Sequence, residues 1–453
     1  MSFDPRHPTW AASDRFVPRT FVQPFVRFTS IEAASGILLL VATAIALLWA
    51  NSPWSGAYLQ LFEGTRVAFE VGPIHLDESL ADIINDGLMA IFFFVVGLEI
   101  KRELVVGELR DRRAAALPVV AAIGGMLVPA LIYVWFTAGS GAEAAAGWAI
   151  PMATDIAFAV GVVALLGRRV PAAAKLFILA LAIADDIGAI LVIAVFYTSD
   201  LSMGWLAVAA GILVLIGFGQ RVGIRSSLFY GTAAVAVWYA MLESGVHATI
   251  AGVAVALLTP ARPFYSSEEF EGKARDILDT FPLGDSPEDD EKSDYEAELL
   301  SNIATESIAP LNRLENRLLP WSSYLIVPLF ALANAGVDFR GVDAGELVTN
   351  PVALGVAVGL VVGKTVGISL FTWLAVKASW GRLPAFTTWR HIIGVAALAG
   401  IGFTVSLFIT NLAFDDERFT DIAKLGIFAG SLVAGILGAT ILVGASNRES
   451  VSA

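Results

Sequence analysis

The sequence predicts an all-α polytopic membrane protein of about twelve transmembrane helices, built as inverted three-helix repeats with two broken helices. Three observations carry that expectation. Of 453 residues, 57% are hydrophobic and only 16% charged, where soluble globular chains carry about 25% charged residues. Apolar runs long enough to cross a hydrocarbon core recur from end to end and lack a polar face. Lys and Arg gather in alternate connections, which is the positive-inside pattern.

The elements follow in order. Residues 1–30 form a polar N-terminal segment holding Arg6, Arg15, Arg19 and Arg27, expected in the cytoplasm. The run 31–50 is too long for a signal-peptide core and lacks a small-x-small cleavage site, so it reads as the first span. Further spans are expected near 81–100, 115–137, 147–166, 172–197, 204–219, 226–242 and 245–259. Helices one to eight thus occupy 31–259. The last four lie within 319–445, near 319–336, 351–376, 391–412 and 421–444, before a cytoplasmic tail at 446–453. Cationic connections follow the second span (Lys101, Arg102, Arg110, Arg112, Arg113), the fourth (Arg168, Arg169, Lys175), the sixth (Arg221, Arg225) and the tenth (Lys377, Arg382, Arg390). The opposite connections 138–146 and 198–203 contain no Lys or Arg, and 51–80 holds only Arg66. Both termini are therefore expected in the cytoplasm.

Three stretches between spans have a character of their own. In 51–80, Val67, Phe69 and Val71 alternate between the turn signals Glu63-Gly64 and Gly72-Pro73, which suggests an external β-hairpin; a plain extracellular loop fits the same pattern. The short seventh and eighth spans meet at Glu243-Ser244-Gly245 and are expected to form a tight re-entering pair. Residues 260–318 are the one long cytoplasmic excursion. Glu268, Glu269, Glu271 and the run Glu288-Asp289-Asp290-Glu291 supply much of the net charge of −13, and such a run reads as a solvated acidic loop. There is no cysteine, hence no disulfide or thiolate chemistry. No cofactor and no nucleic-acid partner are expected.

Two spans carry signals for interruption. Pro151, in Gly147 to Asp155, removes a backbone hydrogen bond and disfavours helix just before it. Gly400 and Gly402 flank Ile401 in the other, ahead of Thr404. Broken helices at membrane depth are tolerated where they line a polar cavity. The two interrupted spans occupy corresponding places in the three-helix units 115–197 and 351–444, the pattern that marks a transporter site on inverted repeats.

Against those breaks stand charges that hydrocarbon does not tolerate. Asp185 and Asp186 sit mid-span in the fifth helix, each costing roughly 2.5–3.5 kcal/mol on insertion scales. Lys364 lies about 13 residues from either end of its span, roughly 20 Å of helix, too far to snorkel to water. It must face a cavity or an anion. Adjacent carboxylates form a coupled pair, and their hard oxygens suit Na⁺ and protons alike. If each ligand excludes the other, alternating access of one site yields antiport. Asp155, just after the Pro151 break, is read two ways: as a counter-charge to positive half-helix ends, or as a direct ion ligand. Glu99, Lys101, Arg102 and Glu103 form a charged group at the end of the second span. His247 opens the eighth span as a candidate pH sensor or simply a hydrogen-bonded residue.

The chain resembles the Na⁺/H⁺ antiporter family NhaA. The resemblance is carried by Ile84 to Ala90, Gly97 to Leu104, Trp148 to Phe158, Ala180 to Ile190, Ser244 to Ala251, Pro328 to Val337, Gly363 to Ser369 and Gly400 to Leu407. It implies two broken, crossing helices, with Asp155 and Lys364 balancing them. Asp186 would be the central ligand for Na⁺ or Li⁺, Asp185 the carboxylate paired with Lys364, and Thr154 close to the ion. It also implies electrogenic exchange for external protons, shut down in acid, with Glu99, Arg102, Glu103 and Glu315 in a cytoplasmic pH-response cluster. A bacterial inner membrane, its lipid, and a homodimer through the external hairpin complete the expectation. Asn316 and Leu319 stand where one family member carries histidines, and the insert at 263–306 is longer and more acidic than usual, so the pH profile is where departure is expected.

Other readings fit less well. Another proton-coupled secondary transporter on the same fold is the nearest alternative. An intramembrane aspartyl protease would need its aspartates on separate helices in Tyr-Asp and Gly-x-Gly-Asp contexts, which are absent at Asp155, Asp185 and Asp186. A passive channel has no need of a central lysine.

Overall fold

The computed structural model describes residues 34–71, 74–198, 201–282, 287–340 and 345–452; the segment expected at 1–30 lies outside them. The apolar runs are helical, since a chain in hydrocarbon must satisfy its own amides. In chain order come α1 (Ala34–Ala50), the strands β1 (Arg66–Val71) and β2 (Ile74–Ser79), α2 (Leu80–Val105), α3 (Arg112–Thr137), α4 (Ala142–Ala146), α5 (Ile156–Leu166) and α6 (Ala172–Phe196). Then follow α7 (Met203–Arg221), α8 (Ser227–Leu242), α9 (Thr249–Leu258), α10 (Ser267–Thr280), α11 (Pro287–Glu306), α12 (Pro310–Trp321) and α13 (Val327–Asn334). The chain ends with α14 (Pro351–Lys377), α15 (Trp389–Leu398), α16 (Phe403–Ala413) and α17 (Glu417–Ser452).

Among the described residues seven helical stretches are long and apolar enough to cross a membrane, one of them running from α4 through α5 (Ala142–Leu166), and the pair α15–α16, bent by 46°, makes an eighth. This is a mostly helical, multi-pass membrane protein. The sequence led to about twelve spans. The difference lies in helices cut short: α1 is described only from Ala34, α8 and α9 are parted by a turn, and α13 is preceded by a π-helical turn at Ser322–Ile326.

The chain divides into two compact units, Met1–Phe92 with Glu108–Asp200 and Pro320–Ala453, and Phe93–Gly107 with Leu201–Leu319. In the first, Leu117, Phe177, Leu181, Ile368, Ile392 and Leu398 form a buried core joining α3, α6, α14 and α15. Gly359, Gly363 and Gly367 recur every four residues on α14, a small-xxx-small face that lets backbones touch. At the tightest point a Cβ on Gly367 would fall 2.2 Å from the Gly124 carbonyl oxygen. A π-helical turn at Gly359–Gly363 directly precedes Lys364. In the same unit, β1 and β2 pair antiparallel with Val71 opposite Ile74, and Arg66 Nε meets Asp77 Oδ1 at 2.8 Å. The segment expected to be a short tail continues α17 without interruption to Ser452.

In the second unit α7, α8 and α9 pack through Ala209, Ile216, Val237, Ala240, Ala251 and Val255. The α8–α9 turn passes through Gly245 at φ 78, and its Ser244 carbonyl accepts the Ser202 amide at 2.9 Å. The acidic excursion at 260–318, expected as a loop, holds the helices α10 and α11 and most of α12. Its acids are not merely repelling one another. Ser266 and Glu269 form a capping box at the start of α10, Glu268 and Glu269 sit in its positive first turn, and Arg275 pairs with Glu271 one turn away at 2.6 Å. Glu306 at the end of α11 meets Arg225 at 3.5 Å and Arg313 at 3.9 Å, and its carbonyl accepts the Phe264 amide.

Candidate functional site

Both predicted interruptions are present, and they meet. After α4 the chain tightens into a 3-10 turn at Gly147–Met152 that contains Pro151, then unwinds before α5 begins at Ile156. The second break runs between Leu398 and Phe403. Each supplies what the other lacks. The Asp155 amide donates to the Ile401 carbonyl at 2.6 Å, the Thr154 hydroxyl to the Ala399 carbonyl at 2.8 Å, and the Ser406 hydroxyl to the Ile150 carbonyl at 2.8 Å. Gly402 makes the approach possible: a Cβ there would lie 2.9 Å from the Ala153 carbonyl oxygen.

Asp155 is held by two elements. Its Oδ1 accepts the Phe158 amide at 3.0 Å, capping α5; its Oδ2 accepts the Thr404 amide at 3.0 Å and the Thr404 hydroxyl at the start of α16. One buried carboxylate thus faces the N-termini of two half-helices, where partial positive charge accumulates. That places Asp155 where a counter-charge to two half-helix ends would stand.

Lys364 and Asp185, 179 residues apart in sequence, form a buried ion pair with Nζ 2.5 Å from Oδ2. Lys364 is 0% and Asp185 1% exposed, so neither charge has water to fall back on. Among the described residues Asp185 Oδ1 has no hydrogen-bond partner, while the Thr154 side chain adjoins the same carboxylate. Asp186 follows on α6, is 7% exposed and lies within the electrostatic reach of Lys364. The side chains brought together are therefore two carboxylates, a hydroxyl and one ammonium. No group of three or more His, Cys, Asp or Glu arranged to hold a metal occurs among the described residues. The donor set, oxygen-rich but with few acids, suits a small monovalent cation or protons.

The charged group at the end of α2 is built within the second unit. Arg102 pairs with Glu315 of α12, with Glu103 at 3.5 Å and with Glu99 at 3.8 Å. Burial raises the Glu315 carboxyl above the ordinary range, with Arg102 opposing and Glu103 adding to the shift. Lys101 donates to the Leu257 carbonyl at 2.7 Å and to that of Thr259, at the negative end of α9. His247 precedes the other end of that ten-residue helix, about 15 Å away along its axis. The geometry sets His247 apart from the Arg102 cluster.

Sequence reasoning missed Thr404 as the partner of Asp155 and the glycine face of α14 that seats Lys364. The spacing Gly359, Gly363, Gly367 was legible; the Thr404 contact was not, because it spans 249 residues.

The family model described as Na+/H+ antiporter 1 matches residues 26–442. The chain is 47% identical to the Na(+)/H(+) antiporter NhaA of Syntrophobacter fumaroxidans, over 93% of this chain and 90% of that protein. It is 47% identical to the NhaA of Koribacter versatilis, over 95% and 93% of the two chains. With the NhaA of an Anaeromyxobacter species it shares 48% identity over 93% and 91%.

Proposed function

Starting from the family to which this chain belongs, Na⁺/H⁺ antiporter 1, we propose that it exports Na⁺, and Li⁺ as a second substrate, in electrogenic exchange for external protons. The observation that carries this reading is the Lys364–Asp185 pair, buried beside Asp186 and the crossed breaks, with one Asp185 oxygen still open. In this reading Asp186 is the principal cation ligand and the Thr154 hydroxyl helps to position the ion. When the cation arrives, Lys364 releases Asp185 to share the positive charge; when two protons bind, one on each carboxylate, they take the cation's place. Na⁺ and protons compete for the same oxygens, so a site that opens to one side at a time exchanges one for the other. No further coupling device is needed.

The reading extends to the whole chain. We place it in a bacterial inner membrane with twelve spans in inverted repeats and both termini in the cytoplasm, in keeping with the Lys and Arg distribution. A homodimer joins through the β1–β2 hairpin. The Arg102–Glu315 cluster adjusts activity to pH.

Everted membrane vesicles test the chemistry. At alkaline pH, NaCl is expected to dissipate a preformed proton gradient, and LiCl to do the same. Asp186→Asn is expected to abolish the response while the protein still reaches the membrane. A full response from that variant, or none from the unaltered chain, would overturn the proposal.

A further inference from the structure

Two cation-bearing segments, distant in sequence, meet the start of α6 in the first unit around one cavity of about 820 Å³. Its walls are the first turns of α3 and α6 and the connection after α14. Arg113 and Arg382 both line it, no Asp or Glu does, and neither arginine side chain has an ion-pair partner among the described residues. The connection that carries Arg382 is held in place. Ser379 and Phe386, neither of them glycine, adopt φ 60 and 57, and Gly381 packs so closely on α3 that a Cβ would sit 3.0 Å from that of Leu117.

The same cavity has an apolar side. Leu176 on its wall is 51% exposed and Trp380 64%, with Phe386 in the same connection 91% exposed. A soluble anion would use the guanidinium groups and gain nothing from these surfaces. An amphiphile uses both. Arg supplies forked donors to phosphate oxygens, and aromatic side chains favour the depth of lipid headgroups.

We propose that this cavity is a binding site for an anionic phospholipid of the arginine-rich leaflet. Its phosphate lies between Arg113 and Arg382, and an acyl chain runs along Leu176 and Trp380. Basic pockets at the ends of membrane helices recognise acidic headgroups in this way. The site is separate from the Asp185–Lys364 centre and stands whether or not the transport reading does.

Native mass spectrometry of the full-length protein in detergent tests it, with phosphatidylglycerol, phosphatidylcholine and inorganic phosphate as probes. The unaltered chain is expected to retain phosphatidylglycerol about tenfold better than phosphatidylcholine, and inorganic phosphate is expected not to displace it. Arg113→Gln with Arg382→Gln should erase that preference, while Arg113→Lys with Arg382→Lys keeps part of it. Equal retention of the two lipids by the unaltered chain overturns the site. So does displacement by inorganic phosphate, or a preference that survives in a Gln double variant that still runs as a single species on gel filtration.

Discussion

Replacing Lys364 by Met leaves Asp185 charged, buried and alone. Breaking such a pair from one side costs about 3–5 kcal/mol, whereas removing both charges is often close to neutral. Lys364→Met is therefore expected to lower the thermal midpoint of the purified protein sharply, and Asp185→Asn in the same chain to restore most of it. Full stability in the single variant would mean that the pair does not bear on folding. Glu315 gives a pH prediction with a definite sign. Its carboxyl is raised above the ordinary range by burial, so on acidification it takes up its proton earlier than an ordinary glutamate. A carboxyl raised in this way favours the folded arrangement while protonated, and that contribution is lost as pH climbs from the ordinary value, about 4.3, through the raised one. The Arg102–Glu315 ion pair is complete above that range and dissolves below it. Glu315→Gln should flatten the acid limb of exchange rate against pH; an unchanged limb assigns the response elsewhere.

At the scale of elements, what was legible in the sequence depended on whether a signal was local. Asp185, Asp186 and Lys364 stood out because a charge inside an apolar run is visible residue by residue. The breaks were visible as Pro151 and the Gly400–Gly402 pair. That the breaks interlock was hidden, because it rests on contacts such as Thr154 to Ala399 across 245 residues. The acidic insert was misread for the opposite reason: composition reports its charge, while the Ser266–Glu269 box that starts α10 is a four-residue pattern composition averages away. The α3–α14 contact yields a further test. Gly367→Ala drives a Cβ to 2.2 Å from the Gly124 carbonyl, a backbone atom that cannot swing aside. A loss of about 1–3 kcal/mol is expected. Gly231→Ala in α8 meets nothing within 4 Å and should be neutral or slightly stabilising, since Ala suits a helix interior by roughly 0.5–1 kcal/mol. Thermal melts of the two variants side by side decide it, and equal melts would discount the crossing.

The whole molecule brings in the second copy and the membrane potential. A lone two-stranded sheet is marginal in water, and its open edges invite pairing. Val67 and Phe69 on β1 are 42% and 55% exposed. Deleting 66–79 is expected to halve the mass of the detergent-solubilised particle, as light scattering would measure, if the proposed dimer forms there; an unchanged mass moves the interface elsewhere. The ion pair at the centre also has an electrical consequence. Asp185, Asp186 and Lys364 sum to one negative formal charge. One Na⁺ brings the total to zero; two protons bring it to plus one. On the proposed exchange, then, only the proton-carrying half of the cycle works against or with the membrane field, at up to about 2.3 kcal/mol per charge per 100 mV. An interior-negative cell pulls that half inward and leaves the Na⁺-carrying half indifferent. With Lys364→Met and Asp185→Asn together, a single carboxylate remains, neutral with either ion. Such a chain should exchange one for one and generate no current, so on the proposed exchange the second carboxylate, Asp185, is what makes the cycle a consumer of voltage.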